Sequence, residues 1–309
     1  QAAPLQQMTY NWENIGQSNI AVLHTAAAFD TDNNAMYVYG GTDENFAPQN
    51  SVMKLDISDP ANLRASASRV SAGGALSLIG SAGAYRAKGK DADDSAAYFF
   101  GGLNNPQSGQ ASNNVQRYSV KSGTWERLDS TITNNSEFKD RFFAGAAYDA
   151  DHDVFWVVGG ISNCSLPDVT GGQTCNARPL STQYLSFDAT SGDMTWNTLA
   201  GGDQSIYAHS VVYDGANKQL LVYGGTKNIS RGERSLMALD LTDADPAKAA
   251  WKTLSTTGSG PAVYFHGGAM DPASNMMVIY GGVSANFMQS NETTMSQTWA
   301  LDMTTSPDP

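Results

Sequence analysis

Three of the four histidines in this 309-residue chain, His24, His209 and His266, fall at matching points of a repeated pattern. With arginine and tyrosine beside them, they form the constellation best able to hold a ligand. Counted back from an aspartate that recurs in each repeat, the fifth position holds Thr25, Arg86, Ala144, His209 and His266. The one or two positions before it include His24, Tyr85, Phe143, Tyr207 and Tyr264, and Arg141 lies just upstream in the third repeat. A guanidinium there can grip a carboxylate or phosphate through paired hydrogen bonds, and tyrosine rings can stack on a sugar or peptide. The candidate ligand-binding residues are therefore His24, Tyr85, Arg86, Arg141, Tyr207, His209, Tyr264 and His266. The same histidines and arginines could instead bond carbonyls of the neighbouring repeat and hold the structure shut, and the residue types alone leave both readings open. His152 reads as an exposed turn residue.

No catalytic residue is assigned. The chain has no Gly-x-Ser-x-Gly elbow, no His-Glu-x-x-His, no phosphate-binding glycine loop and no carboxylate pair placeable across a cleft. Its histidines and aspartates lack metal-ligand spacing, so no metal or cofactor is expected.

The elements that must position these side chains are legible as repeats. An apolar strand closed by a glycine pair occurs five times: Tyr37-Val38-Tyr39-Gly40-Gly41, Tyr98-Phe99-Phe100-Gly101-Gly102, Trp156-Val157-Val158-Gly159-Gly160, Leu221-Val222-Tyr223-Gly224-Gly225 and Val278-Ile279-Tyr280-Gly281-Gly282. The first glycines lie 61, 58, 65 and 57 residues apart, which suits a four-stranded propeller blade. Ten residues before them stand Asp30, Asp91, Asp149, Asp214 and Asp271, each opening a polar stretch in which an aspartate can start a hairpin turn.

Upstream of these aspartates lie small apolar segments such as Ala144-Gly145-Ala146-Ala147-Tyr148, suited to the crowded strand nearest a propeller axis. Downstream of each glycine pair comes an alternating strand, for example Leu236-Met237-Ala238-Leu239-Asp240. A fourth strand is marked by Thr124-Trp125-Glu126-Arg127-Leu128, Thr195-Trp196-Asn197-Thr198-Leu199 and Ala250-Trp251-Lys252-Thr253-Leu254. The first repeat offers only Leu63 to Val70 there. The last runs out of chain, while Tyr10-Asn11-Trp12-Glu13-Asn14 carries the missing pattern. The expected fold is all-β: a propeller of five four-stranded blades over residues 8–303, its ring closed by the N-terminal strand.

A hydrophobic strand ending in Gly-Gly, an aromatic in the next strand and a Trp in the one after together resemble the kelch repeat. The resemblance extends from about Met8 to Met303. It departs in its repeat length, the family's period being roughly 50 residues, and in having five copies where six or seven are usual. It implies a propeller, but kelch propellers include enzymes, sugar-binding modules and interaction platforms. Galactose-oxidase-like members are copper enzymes with two His and two Tyr, one crosslinked to Cys. His209, His266, Tyr207 and Tyr264 could supply part of that set, but the only cysteines, Cys164 and Cys175, share one loop and are expected to pair with each other. A sialic-acid epimerase on a kelch propeller uses an Arg, Glu and His set at the channel. By that resemblance, an epimerase, a lyase or a metal-dependent enzyme with a His/Arg/Tyr cup is the alternative reading. Ligand contacts by arginine near the Arg141 position are likewise implied by the resemblance.

Composition sets further bounds. A hydrophobic content of 41%, with 16% charged residues, permits a large core, and no apolar run is long enough to span a bilayer. A net charge of −12 disfavours nucleic acid as a partner. A Cys164–Cys175 staple and sequons at Asn134, Asn163, Asn228 and Asn291 point to a secreted or cell-surface glycoprotein. The start Gln1-Ala2-Ala3-Pro4 resembles a trimmed N-terminus, and residues 304–309 resemble the beginning of a linker. The resulting expectation is a monomeric, noncatalytic extracellular module that binds a protein or glycan through loops on a rigid ring. The variable segments are Leu103 to Asn114, Ile161 to Gln183 and Thr226 to Ser235.

Overall fold

The computed structural model describes residues 24–43, 45, 47–56, 67–70, 73–87, 95–105, 109–162, 179–228, 231–284 and 294–304. Those residues form an all-β propeller of five antiparallel blades, with no α-helix among them. The first blade comprises β1 (Ala26–Asp30), β2 (Ala35–Tyr39), β3 (Val52–Asp56) and β4 (Ala67–Val70). The second comprises β5 (Ala82–Arg86), β6 (Ala96–Phe100), β9 (Val115–Ser119) and β10 (Thr124–Arg127); a small hairpin of β7 (Leu103–Asn105) and β8 (Gln110–Ala111) rises between its second and third strands. The third is β11 (Gly145–Asp149), β12 (Val154–Val158), β13 (Gln183–Phe187) and β14 (Met194–Thr198). The fourth is β15 (Ser210–Asp214), β16 (Gln219–Tyr223), β17 (Leu236–Asp240) and β18 (Ala250–Thr253). The fifth shows three described strands, β19 (Gly267–Asp271), β20 (Met276–Tyr280) and β21 (Thr298–Asp302).

The innermost strands stand side by side around the axis in the order β1, β5, β11, β15, β19. Their small residues allow that approach: a Cβ on Gly268 would lie 2.5 Å from the Ser210 Cβ. Between blades, the alternating strands bury apolar faces against each other. Tyr37, Tyr39 and Phe99 join the first two blades, Tyr98, Phe155 and Trp196 the second and third. Trp156, Leu220 and Leu239 join the third and fourth, and Leu221, Tyr223 and Met277 the fourth and fifth.

The glycine pair links each blade to the next. The second glycine donates across the gap, from Gly41 to Leu78 O, Gly102 to Arg141 O, Gly160 to Ile206 O and Gly225 to Val263 O, each at 2.8 Å. The first glycine lies against that same incoming segment. Gly224 has φ +66°, and a Cβ there would sit 2.7 Å from Val263 O and 2.6 Å from the His266 ring. Left-handed backbone plus overlap with fixed atoms makes Gly224→Ala destabilising, by about 2–4 kcal/mol, measurable as a lower urea midpoint.

The repeated aspartates build turns. Asp30 accepts the backbone N–H groups of Asp32 and Asn33, both at 3.0 Å. Asp149 accepts from Asp151 N and Trp156 Nε1, and Asp214 from Asn217 N and Gln219 Nε2. One register expectation is corrected. Asp91 lies outside the described residues, and the strand position occupied by Asp30, Asp149, Asp214 and Asp271 is filled in the second blade by Arg86, paired with Ala96. The second blade's first hairpin carries five extra residues, which counting back from the glycine pair cannot detect.

The N-terminal strand around Trp12, the Cys164 and Cys175 pairing, the sequons at Asn163 and Asn291 and all of the 304–309 tail except Thr304 lie outside the described residues. No helix among the described residues is long and apolar enough to cross a membrane.

Candidate functional site

Each innermost strand is entered through a residue of left-handed backbone: His24 (φ 56°), Gly80 (63°), Phe143 (54°), Ala208 (54°) and Phe265 (54°). Four of the five lack the freedom of glycine, so the conformation costs roughly 1–2 kcal/mol at each. The bonding that holds them there runs from each entrance to the one before it. Gly80 N donates to His24 O at 2.9 Å, Phe143 N to Gly80 O at 2.7 Å, Ala208 N to Phe143 O at 2.8 Å and Phe265 N to Ala208 O at 2.9 Å. The strand entrances thus form a hydrogen-bonded chain around the mouth of the channel.

Side chains fill the centre of that chain. The His24 ring lies 5.4 Å from both Phe143 and Phe265, and those two rings meet edge to face at 4.8 Å. Burial in this aromatic triangle lowers the His24 pKa from its ordinary value.

Outside the triangle runs a collar. Ile79, Phe142, Tyr207 and Tyr264, each one residue before a left-handed position, form two-way backbone bridges to Leu103, Ile161, Thr226 and Val283. These residues, threonine aside, belong to one buried apolar cluster. Tyr207 and Tyr264 are 2% and 0% exposed, so they are packed into the collar and their faces are unavailable as a stacking platform.

His209 and His266 directly follow Ala208 and Phe265, and both are buried in the wall between blades. His209 packs beside Gly159 and Gly225, and His266 beside Gly224 and Gly282. The His266 Nε2 is 3.0 Å from Ser210 Oγ, and its ring stands edge-on to Tyr223. Burial, with the nearby His266 as a second cause, depresses the His209 pKa to about 3. Burial likewise lowers His266 to about 4. Both are neutral imidazoles at pH 7.

The two arginines stand apart from this group. Arg86 and Tyr85 lie at the far end of β5, away from the mouth, because of the hairpin insertion; the second-blade counterpart of His209 is Ser81. Arg86 makes a paired bond to the Asp153 carboxylate at 2.7 and 2.6 Å and lies 3.8 Å over the Phe187 ring. Burial alone would raise the Asp153 pKa, but bonds from Arg86 and Tyr148 hold it below the ordinary carboxylate value. The Tyr85 hydroxyl is 3.4 Å from Asp32.

Arg141 is fully buried and donates to the carbonyls of Lys139, Gly159 and Ser181 at 3.0–3.1 Å and to Gln183 Oε1 at 2.5 Å. Burial lowers its pKa to about 10, leaving it charged at pH 7. Gln183 also accepts from Lys139 N and donates to Glu137 O, a role no local motif marks. Its counterpart Gln116 is equally buried and binds the Tyr39 hydroxyl and Leu76 N, so a glutamine at one strand position in two blades was the available signal.

No group of three or more His, Cys, Asp or Glu side chains placed to hold a metal ion occurs among the described residues. The mouth is a packed plug of His24, Phe143 and Phe265. Of the predicted glycosylation sites, Asn134 is exposed at φ 58° beside a 3₁₀ turn, and Asn228 is half-buried in the fourth blade's loop.

No family model and no curated protein matches this chain by sequence. Among solved structures it is similar to one described as the structure of YjhT, with a TM-score of 0.59 and 14% identity over 91% of this chain and 81% of that one. It is also similar to a fungal alcohol oxidase of the AA5 family solved with copper, with a TM-score of 0.56 and 14% identity over 91% of this chain. This chain spans about half (51%) of that oxidase. At this identity the likeness carries the propeller fold.

Proposed function

We propose that this protein is a noncatalytic extracellular recognition module that binds a protein or glycan through the loops above its plugged channel mouth. The carrying observation is the triangle of His24, Phe143 and Phe265 inside the Tyr207 and Tyr264 collar: the chain's own side chains fill the volume a channel ligand would need. Arg86 and Arg141, the groups best suited to hold an anionic substrate, are each committed to other partners within the fold. The bridges at Leu103, Ile161 and Thr226 pin the base of each loop to buried structure, so loops of differing sequence are presented from a rigid rim. Secretion and glycosylation at Asn134 and Asn228 belong to the same proposal, and both asparagines head Asn-x-Ser sequons.

The test is an array of defined glycans and candidate ectodomains, with hits confirmed by thermal shift, since a ligand of the folded state raises the melting temperature. Exchanging residues 227–234 for a short Gly/Ser loop is expected to abolish a hit, whereas Phe143→Leu at the plug leaves it intact. Loss with Phe143→Leu while the loop exchange binds normally would return the function to the channel and overturn the proposal.

A further inference from the structure

The turn between β11 and β12 differs from its counterparts in one residue. Three positions after the turn aspartate, the first blade places Asn33, the fourth Asn217 and the fifth Ser274, and each donates its side chain to that aspartate's Oδ2. Those donors carry no charge. The third blade places the ionisable His152 there, with Nδ1 2.7 Å from Asp149 Oδ2. From the sequence His152 is expected to be an exposed turn residue, yet its side chain is only 10% exposed. The cause is a second contact, which the asparagines do not make. His152 Nε2 lies 2.9 Å from the backbone carbonyl of Asp243, in the connection between β17 and β18 of the fourth blade.

Both partners are acceptors. A carbonyl oxygen has no proton to give, and the Asp149 carboxylate already receives from Asp151 N, His152 N and Trp156 Nε1. A neutral imidazole donates through one nitrogen only, so making both bonds requires the doubly protonated ring. We infer that His152 is a pH-operated latch between the third and fourth blades: its imidazolium holds the 241–249 connection against the β11–β12 turn, and loss of one proton opens it. Asp243 is the partner released. The bond to Asp149 stays, because it closes the residue's own turn as the uncharged donors do in the first and fourth blades.

The charges around the ring favour the closed form. Asp149 and Asp151 act on it from its own turn, and the Asp243 carboxylate from the fourth blade, offset by Lys248 at 3.4 Å. Asp245 accepts from Ala247 N at the start of the 3₁₀ turn Pro246–Lys248. Tyr213 on β15 stays neutral, its pKa raised by burial and by Asp149 and Asp151. Burial alone would lower the His152 pKa, but the bonds to Asp149 and Asp243 raise it above the ordinary 6.5. A raised folded pKa makes the latch's contribution complete below pH 6.5 and lost as the pH climbs through the folded value.

The test compares the full chain with His152→Asn, which installs the donor of the first and fourth blades, keeping the turn bond and removing the reach to Asp243. Burial lowers the pKa of His24, His209 and His266, so in isotope-labelled protein the one imidazole titrating above pH 6.5 should be that of His152. Nuclear magnetic resonance should show both its nitrogens protonated at about pH 6. Hydrogen exchange reads the latch itself. Protection of the Lys248 and Ala249 amides, which bond back to Asp245 and Pro246, should fall about tenfold between about pH 6 and pH 9. In His152→Asn it should be low and level. A bare ring nitrogen at pH 6, a midpoint at or below 6.5, or protection that is the same in both proteins overturns the latch. If His152→Asn does not fold, the titration and the exchange of the unsubstituted chain decide, and protection level with pH overturns it.

Discussion

Replacing Arg141 with methionine is expected to cost about 3–5 kcal/mol of folding stability, because several acceptors lose their donor at about 1–3 kcal/mol for each one left buried and unsatisfied. Its guanidinium reaches four neutral acceptors; the bonds to Gly159 and Gln183 are buried and those to Lys139 and Ser181 are part-buried. Methionine fills similar volume but leaves the carbonyls of Lys139, Gly159 and Ser181 and the Gln183 amide oxygen without these donors, each an expensive loss. Arg141→Lys should lose nearly as much, because one ammonium cannot reproduce donors that spread in a planar fork. Gln183→Leu alone should be milder, and a double-mutant cycle between positions 141 and 183 should return a coupling of about 1–3 kcal/mol. Urea unfolding monitored by tryptophan fluorescence measures all three. A loss below about 1 kcal/mol for Arg141→Met would mean that water reaches these carbonyls once the arginine is gone.

Acid is expected to destabilise the protein well above the range in which carboxylates titrate. His209 and His266 have folded pKa values near 3 and 4 against about 6.5 for an exposed imidazole. For a base whose folded pKa is depressed, the unfolded chain takes up the proton first. The stability is therefore complete above pH 6.5 and declines as the pH falls toward the folded values. At pH 5 the loss is about 2 kcal/mol per histidine, the upper bound set by 1.36 kcal/mol per pH unit. His24, also lowered by burial, adds in the same direction. His152 acts the opposite way, since bonds to Asp149 and Asp243 outweigh burial and raise its pKa. The stability profile should thus bend between pH 6.5 and 4, and His209→Gln with His266→Gln should flatten that bend. A profile level down to pH 4.5 in the unsubstituted protein would show that the imidazoles gain solvent or a counter-charge on protonation.

Both effects arise from side chains packed between blades rather than in a ligand pocket, and this bears on how far the candidate site was legible. Residue type and repeat position correctly brought His209, His266, Tyr207 and Tyr264 to one end of the ring. What those side chains do there depends on the neighbouring blade. His209 is buried because Gly159 and Gly225, from two different blades, have no Cβ to hold it off. Arg141 finds three of its four acceptors 18 to 42 residues away in sequence, so no local pattern announces them.

By itself, the sequence determined the five blades, their strand order and the turns at Asp30, Asp149, Asp214 and Asp271, because glycine pairs, period-two alternation and aspartate turns all act within a few residues. The tertiary structure alone decided that Arg86 lies at the far end of β5, that five left-handed entrances link around the axis, and that the mouth is closed by His24, Phe143 and Phe265. Those outcomes depend on the spacing between sheets and on which side chains fill the axis. Close packing between elements distant in sequence sets both.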